Sequence, residues 1–256
     1  MTPDIRTQML ADLDSAAGVP DWLGAFIRAD AAAGRFAGWG LSTVVDENTG
    51  GPVIDERLFG ELHALAGLPS VWPVGNAGLL HVYGYLLSRV ETPYGRKRDR
   101  WLDGGVARAL GLPAHAFAPW FDAGGSSTPL ERIALAAAPI VNAGAGAGVV
   151  FRADDSVPDA GGTATGRIAV ARTIVVRDAA SGATALVYAL GEADANGGAD
   201  AFGAAGAVGA ADAVGAADAV GDLKLVTLFP VEGVDEAWAE RLRLEPPRLR
   251  YNAVIR

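Results

Sequence analysis

The sequence contains no cysteine and very little lysine. None of the 256 residues is a cysteine, which excludes disulfide bonds, thiolate nucleophiles and metal sites built on cysteine. Lys97 and Lys224 are the only lysines, so arginine supplies nearly all of the positive charge. The absence of cysteine agrees with a cytosolic protein, because disulfides are rare in that compartment.

Long apolar runs are missing as well, although 50% of the residues are hydrophobic. No stretch approaches the roughly 18 to 20 consecutive apolar residues that a membrane helix needs. Residues 1–18 are acidic and amphipathic, without the basic start and apolar core of a secretion signal. The sequence therefore predicts a soluble, cytoplasmic protein with no membrane partner.

Positive charge is in deficit, and the formal net charge at neutral pH is −9. A chain with this charge repels polyanions at long range, which disfavours duplex DNA as a partner. A basic site confined to a few residues is still compatible with it. The chain is also long enough to bury a sizeable hydrophobic core in one large domain or two small ones.

The sequence lacks the common motifs that identify a cofactor site or a catalytic centre. The sequence has no G-x-S-x-G nucleophile elbow and no phosphate-binding G-x-x-x-x-G-K. Gly144, Gly146 and Gly148 have some of the spacing of a dinucleotide fingerprint, but they follow a predicted helix and precede a predicted strand, which is the wrong order. No cofactor is therefore predicted.

Metal-binding patterns are also lacking. The three histidines do not have the H-x-x-x-H or H-x-H spacing of a local zinc site. Asp154, Asp155 and Asp159 stand among serine, proline and glycine, so we interpret them as a solvated loop. The sequence predicts no metal site.

Hydrophobic periodicity predicts helices early in the chain and strands late. Helices are expected at 3–17, from Asp21, at 55–66, 93–110, 128–142 and 233–244. Strands are expected at 41–45, 167–178, 183–190, 223–231 and 249–256. The fold class is therefore α+β, with a mainly helical N-terminal half packed on a mainly antiparallel C-terminal sheet. We expect a single domain over 1–256, which a helical part, 1–142, and a sheet part, 149–256, could subdivide.

Two segments have patterns with more than one interpretation. In residues 71–90, His81, Tyr83 and Tyr85 alternate with other residues, which favours a strand, although a buried helix also fits. In the last expected strand, Arg248 and Arg250 alternate with Arg256 on one face. That face is predicted to be either solvent-exposed or the wall of a groove.

The candidate functional site lies between His81 and Trp101. A turn at 92–95 is followed by four cations in the first two turns of a helix: Arg96, Lys97, Arg98 and Arg100. Cations oppose the helix dipole there. An anion site would explain them, because helix N-terminal amides and guanidinium groups bind phosphate and carboxylate. The alternative is a solvated face on which neighbouring acids pair with these charges.

The sequence thus predicts binding of, or acid–base chemistry on, a small phosphate- or carboxylate-bearing ligand. His81 is the catalytic candidate, because histidine titrates near neutrality. Tyr83 and Tyr94 would orient the ligand, while the four cations hold its anionic group. Whether the protein is an enzyme is left open by these residues.

Two other functions fit the same segment. A non-catalytic interaction protein would dock an acidic protein partner on a flat or convex face at the basic helix start. A metal-independent ribonuclease would use His81 as the base, Lys97 or Arg98 as the cation and Thr227 as a hydroxyl. Convergence of these side chains in one cleft would distinguish the ribonuclease from the others.

Residues 193–221 form a low-complexity insert. It contains the tandem hexapeptides GAAGAV, GAADAV and GAADAV at 203–220. Its side chains are small, so it can bury little apolar surface and is predicted to be a surface insert without chemistry.

We expect this insert to be dispensable for stability. Replacing 193–221 with a short Gly-Ser turn should change the melting temperature by much less than ~10 °C, a fall several times that of a typical single substitution. Differential scanning calorimetry of the parent protein and of the variant measures the two melting temperatures. A fall of that size would mean that the insert is a structural element.

Overall fold

The computed structural model describes residues 4–15, 17–122, 127–143, 148–158, 168–192 and 223–255. The insert at 193–221, Asp159 and Arg256 lie outside the described residues. The helices are α1 (Ile5–Ser15), α2 (Asp21–Ala32), α3 (Glu56–Ala66), α4 (Tyr85–Leu87), α5 (Lys97–Leu102), α6 (Gly105–Ala109), α7 (Pro129–Ala143) and α8 (Glu236–Leu244). A 3-10 helix spans Arg35–Gly38, and a π-helical segment, Leu79–Gly84, runs directly into α4.

The strands fall into a large sheet, a small sheet and a short hairpin within the described residues. They are β1 (Leu41–Thr43), β2 (Val74–Asn76), β3 (Glu91–Thr92), β4 (Gly95–Arg96), β5 (Val149–Pro158), β6 (Ile168–Arg177), β7 (Thr184–Glu192), β8 (Lys224–Pro230) and β9 (Ala253–Val254). The large sheet is an antiparallel meander in the order β5-β6-β7-β8. The small sheet has the order β2-β1-β9, and β3 pairs with β4. The α+β fold with a C-terminal antiparallel sheet is confirmed.

Local signals in the sequence explain several of these elements. Thr128 begins α7 as predicted, because its Oγ1 accepts a hydrogen bond from the backbone N–H of Glu131 at 3.1 Å. The β6–β7 hairpin turns at 178–183, where Asp178 accepts hydrogen bonds from the backbone and hydroxyl of Ser181 at 2.7 and 2.6 Å. Both elements therefore follow from residues that are close in sequence.

The two faces of the large sheet have different neighbours. On one face, Arg172 donates a hydrogen bond from Nη1 to the carbonyl oxygen of Val141 in α7 at 2.8 Å. On the other, the ring of Phe151 lies 5.5 Å from that of Trp238 in α8. This second face, which we call the C-terminal face, is covered by α8 and the segment 248–255.

Of the two interpretations of residues 71–90, the strand is wrong and the buried helix is confirmed for 79–87. The centre of these residues is the π-helical segment, followed by α4, and only 74–76 is a strand. Residues 79–84 are all buried, so polar and apolar positions do not alternate there and the apparent period of two carries no information. Gly84 permits the close packing, since a Cβ at this position would lie 2.5 Å from Cδ1 of Ile54.

The helix predicted from Pro93 is wrong in its start and its length. Thr92 does not cap a helix; its Oγ1 donates to the carbonyl oxygen of Gly95 at 2.7 Å and accepts from the N–H of Tyr94 at 3.2 Å, which closes the β3–β4 turn. The helix begins only at Lys97. It is interrupted before α6 by Gly104, whose φ of 78° is left-handed.

Two predictions in the C-terminal half also need correction. The acidic stretch is no loop, because Asp154 and Asp155 belong to β5, and Asp154 pairs with Arg172 at 2.7 Å. The last strand shortens to two residues, since Tyr251 and Asn252 have φ of 58° and 62° and cannot continue an extended strand. β9 then pairs with β1 rather than with the large sheet.

We expect residues 149–256 to fold poorly when expressed alone. The segment would lose β1, the partner of β9, and the α6 and α7 residues that cover one face of the sheet. Amide NMR dispersion of the purified fragment measures this. A soluble fragment with dispersed resonances would establish the two-part domain organisation instead.

Candidate functional site

Two of the four cations at the start of α5 have acidic partners on the surface. Nε of Arg96 lies 2.7 Å from Oε1 of Glu91, which is the neighbour directly opposite in the β3–β4 hairpin. Nη1 of Arg98 lies 2.6 Å from Oδ1 of Asp14 in α1. These contacts favour the surface-pair interpretation of both residues, because their charges are compensated locally.

The other two cations, Lys97 and Arg100, have partners in two different environments. Nζ of Lys97 lies 2.5 Å from Oδ2 of the buried Asp46 and 5.4 Å from the ring centre of Tyr85. The guanidinium of Arg100 lies over the ring of Tyr94, 5.3 Å from its centre. Tyr94 is exposed. Lys97 is therefore an internal counter-ion, whereas Arg100 and Tyr94 form a surface pair.

Asp46 is held in its charged form by this arrangement. Burial alone would raise its pKa, but Lys97 and the backbone N–H groups of Asn48 and Thr49 outweigh burial and lower it. Those N–H groups donate to Oδ1 at 2.9 and 3.2 Å. The turn at 46–51 thus supplies the carboxylate that pairs with the Lys97 ammonium group.

His81 is buried beneath the small sheet. Its Nε2 lies 3.0 Å from Oγ of Ser42, and its ring centre lies 4.7 Å from that of Tyr85. Burial lowers its pKa to about 3, with a further decrease from Lys97, while the backbone of Val226 acts in the opposite direction. At neutral pH the imidazole is uncharged.

Tyr83 lies in the core, where it joins three helical segments. Its hydroxyl donates a hydrogen bond to Oδ2 of Asp30 in α2. Oδ1 of Asp30 accepts from Oγ1 of Thr128 at 2.6 Å and lies 3.1 Å from Nη1 of Arg35. Burial raises the pKa of Asp30, and burial together with that carboxylate raises the pKa of Tyr83. Tyr83 is therefore a structural contact and does not meet Tyr94.

The residues predicted from the sequence are thus distributed over the core, the small sheet and the surface. The structure brings together His81 and Lys97 through Tyr85, but Tyr83, Tyr94, Arg96, Arg98 and Arg100 face elsewhere. Their role as one site stays a prediction.

A separate cleft of about 240 Å³ opens beside α8, and we call it the C-terminal cleft. Its walls are formed by residues of α8, by residues of the segment 245–251 that follows α8, and by the turn at 46–51. They consist of Glu47, Trp238, Arg241, Leu242, Glu245, Arg248, Leu249, Arg250 and Tyr251. None of the residues predicted as a site from the sequence is among them. Arg248 and Arg250, whose face was predicted to be either solvent-exposed or the wall of a groove, both line the cleft.

The C-terminal cleft is positive in a negatively charged protein. Its walls carry three arginines and two glutamates, a net charge of plus one, whereas the whole chain has −9. A single carboxylate oxygen, Oε2 of Glu245, forms ion pairs with two of these arginines. It lies 3.2 Å from Nη2 of Arg248 and 3.0 Å from Nη1 of Arg250. The cleft therefore has more guanidinium groups than carboxylates to pair with them.

Arg250 is the buried cation of this cleft. Only 7% of its side chain is exposed, and Nη1 is paired with Glu245. Nε and Nη2 are buried and have no hydrogen-bond partner among the described residues. A buried guanidinium with two unpaired nitrogens is rare, because each such donor has lost water without replacing it.

Hydroxyl groups of the C-terminal face lie behind Arg250. Thr173 of β6 is directly opposite Tyr188 of β7, and Tyr188 is opposite Thr227 of β8. Within the described parts of the chain, the buried hydroxyls of Thr173 and Tyr188 have no hydrogen-bond partner of normal geometry. Burial raises the pKa of Tyr188 to about 12, although the backbone N–H of Arg250 lies close enough to oppose the rise.

The turn that carries Arg250 and Tyr251 into the cleft is anchored by Ser42. Oγ of Ser42, next to His81, donates a hydrogen bond to the carbonyl oxygen of Asn252 at 3.1 Å. The ring of Tyr251 packs edge-on against those of Tyr188 and Phe229, at 5.1 and 5.2 Å. His81 thus reaches this turn only through the hydroxyl of Ser42.

No family model, no curated protein and no solved structure matches this chain. Over the described ranges, no helix has the length and apolar character needed to cross a bilayer. The same residues contain no group of three or more histidine and acidic side chains placed to hold a metal ion.

Replacing Arg96 and Arg100 with Gln tests the anion site predicted from the sequence. Because both side chains have local partners on the surface, we expect only a small loss of stability. The double variant and the parent should then respond equally to sulfate and to chloride in thermal melts at matched ionic strength. Stabilisation by sulfate that only the parent shows would instead establish an anion site there.

Proposed function

We propose that the protein binds a small anionic ligand in the C-terminal cleft, with Arg250 as the principal contact. One observation carries the proposal: Nε and Nη2 of Arg250 are buried without a hydrogen-bond partner among the described residues. Leaving a buried donor unpaired costs about 1–3 kcal/mol, and more for a charged group. An anion at this edge would remove that cost.

The unpaired edge has the shape that oxyanions require. Nε and Nη2 lie side by side on a guanidinium group, so their N–H bonds run parallel and can bind two oxygens of one carboxylate or phosphate. Arg172 of the same protein uses this edge in this way. Its Nε and Nη2 contact the two carboxylate oxygens of Asp154 at 2.7 and 3.0 Å, while its Nη1 donates to a backbone carbonyl.

The surroundings of Arg250 favour entry of an anion. Arg241 and Arg248 are exposed at the wall of the cleft, where they raise the local concentration of negative ligands. Trp238 and Tyr251 offer apolar surface for the remainder of a ligand. We propose binding rather than acid–base catalysis, because His81 is neutral at physiological pH and is outside the cleft lining.

Phosphate should stabilise the protein through Arg250. A ligand that binds only the folded state adds roughly 2.7 kcal/mol to the free energy of unfolding at ~100 times its dissociation constant. Replacing Arg250 with Met, which keeps the length of the side chain, should abolish this increase. Thermal melts in phosphate and in chloride at equal ionic strength measure the effect.

Arg243→Met is the matched control. Arg243 is exposed on α8, pairs with Glu240 at 3.4 Å and does not line the cleft. Arg243→Met changes the net charge by the same amount as Arg250→Met. Because Arg243 lies outside the cleft lining, this variant should keep the phosphate-dependent gain in stability. Retention of the gain by Arg250→Met, or an equal response of the parent to chloride, would contradict the proposal.

A further inference from the structure

Four apolar side chains on the walls of the C-terminal cleft are only half-buried: Trp238, Leu242, Leu249 and Tyr251. Each packs against the main hydrophobic core. The ring of Trp238 is fixed edge-on by Phe151 at 5.5 Å, and that of Tyr251 by two aromatic rings of the large sheet. A ligand in the cleft therefore meets apolar surface that is already held in position, and covering this surface removes it from water.

The charge of the cleft matches a ligand with one negative charge. Three arginines and two glutamates line it, which leaves a net charge of plus one. A monocarboxylate would balance this charge. A dianion such as sulfate would leave an excess of negative charge in a protein that already has −9.

The free edge of Arg250 also suits a carboxylate. Its Nε and Nη2 supply two parallel N–H groups in one plane, and a carboxylate has two oxygens in one plane to accept them. Asp154 accepts from the same edge of Arg172 in this way, at 2.7 and 3.0 Å. A carboxylate would therefore satisfy both unpaired nitrogens of Arg250 at once.

The size of the cleft limits the rest of the ligand. A cavity of about 150 Å³ holds one benzene ring. The C-terminal cleft measures about 240 Å³. It accommodates a carboxylate together with an apolar group the size of one aromatic ring.

We propose that the C-terminal cleft binds a small organic acid with one carboxylate and one aromatic ring. Arg250 holds the carboxylate through Nε and Nη2, and the ring is covered by the apolar walls at Trp238, Leu242, Leu249 and Tyr251. This inference rests on the proposed function, since it presumes an anion on the free edge of Arg250, and it adds the chemistry of the rest of the ligand.

Calorimetric titration of the whole protein at neutral pH tests the inference with three probes: phenylacetate, acetate and phenylacetamide. Phenylacetate should bind at least about tenfold more tightly than acetate, because full burial of an aromatic group contributes a factor of this size or more. Phenylacetamide has the same ring without the charge. It should bind at least about tenfold more weakly than phenylacetate, because hydrogen bonds between charged groups are lost.

Leu242→Asn should weaken the binding of phenylacetate about fourfold, the loss expected when the contact of one buried methylene group is removed. The affinity for acetate should not change. Leu244→Asn is the matched control, because Leu244 is in the same helix, is 76% exposed and does not line the cleft. It should keep both affinities of the parent. The comparison of the three probes on the parent does not depend on the folding of either variant.

The outcomes separate the two proposals. If acetate and phenylacetate bind the parent equally, or if both variants change the affinity for phenylacetate equally, the aromatic acid is wrong while the anion site stands. The same holds if no organic probe binds but phosphate still stabilises the protein through Arg250. If phenylacetamide binds as tightly as phenylacetate, or if phosphate fails along with all three probes, the anion site is wrong as well.

Discussion

A hydrogen-bond junction at Ser42 holds the C-terminal segment against the rest of the protein. Ser42 lies in β1, contacts His81 on one side and donates to the carbonyl oxygen of Asn252 on the other. Tyr251 and Asn252 occupy the left-handed region, which costs of order 1–3 kcal/mol for each residue unless the surroundings compensate. This junction acts together with the packing of Tyr251 on Tyr188 and Phe229 and with the pairing of β9 with β1, so the cleft depends in part on contacts that lie outside it.

The parts of the fold that could be predicted are those with local causes. The cap at Thr128 and the hairpin between β6 and β7 follow from neighbouring residues, and both were expected from the sequence. The segment 79–84 could not be predicted, because complete burial removes the periodic contrast that distinguishes helix from strand. The burial of Arg250 depends on the positions of strands more than sixty residues earlier in the chain, so only its alternation with Arg248 hinted at a groove.

Arg172 and Arg250 use the same chemistry on opposite faces of one sheet. Arg172 is satisfied within the protein, by Asp154 and a carbonyl of α7, and it joins the sheet to the helices. Among the residues that the structure describes, the side chain of Arg250 pairs with Glu245 alone, which it shares with Arg248. The side chain of Arg172 therefore has its polar atoms satisfied within the protein, whereas Nε and Nη2 of Arg250 are left unpaired among the described residues, and on this difference we base the proposed anion site.

The antiparallel pairing of β9 with β1 has a consequence for the order of events during synthesis. β1 leaves the ribosome some two hundred residues before β9, its partner, so the small sheet stays incomplete while most of the chain is being translated. The meander β5–β8 can pair as each strand emerges, because its neighbours in space are neighbours in sequence. The C-terminal cleft can form only at the end of this sequence, because Leu249, Arg250 and Tyr251 belong to its walls.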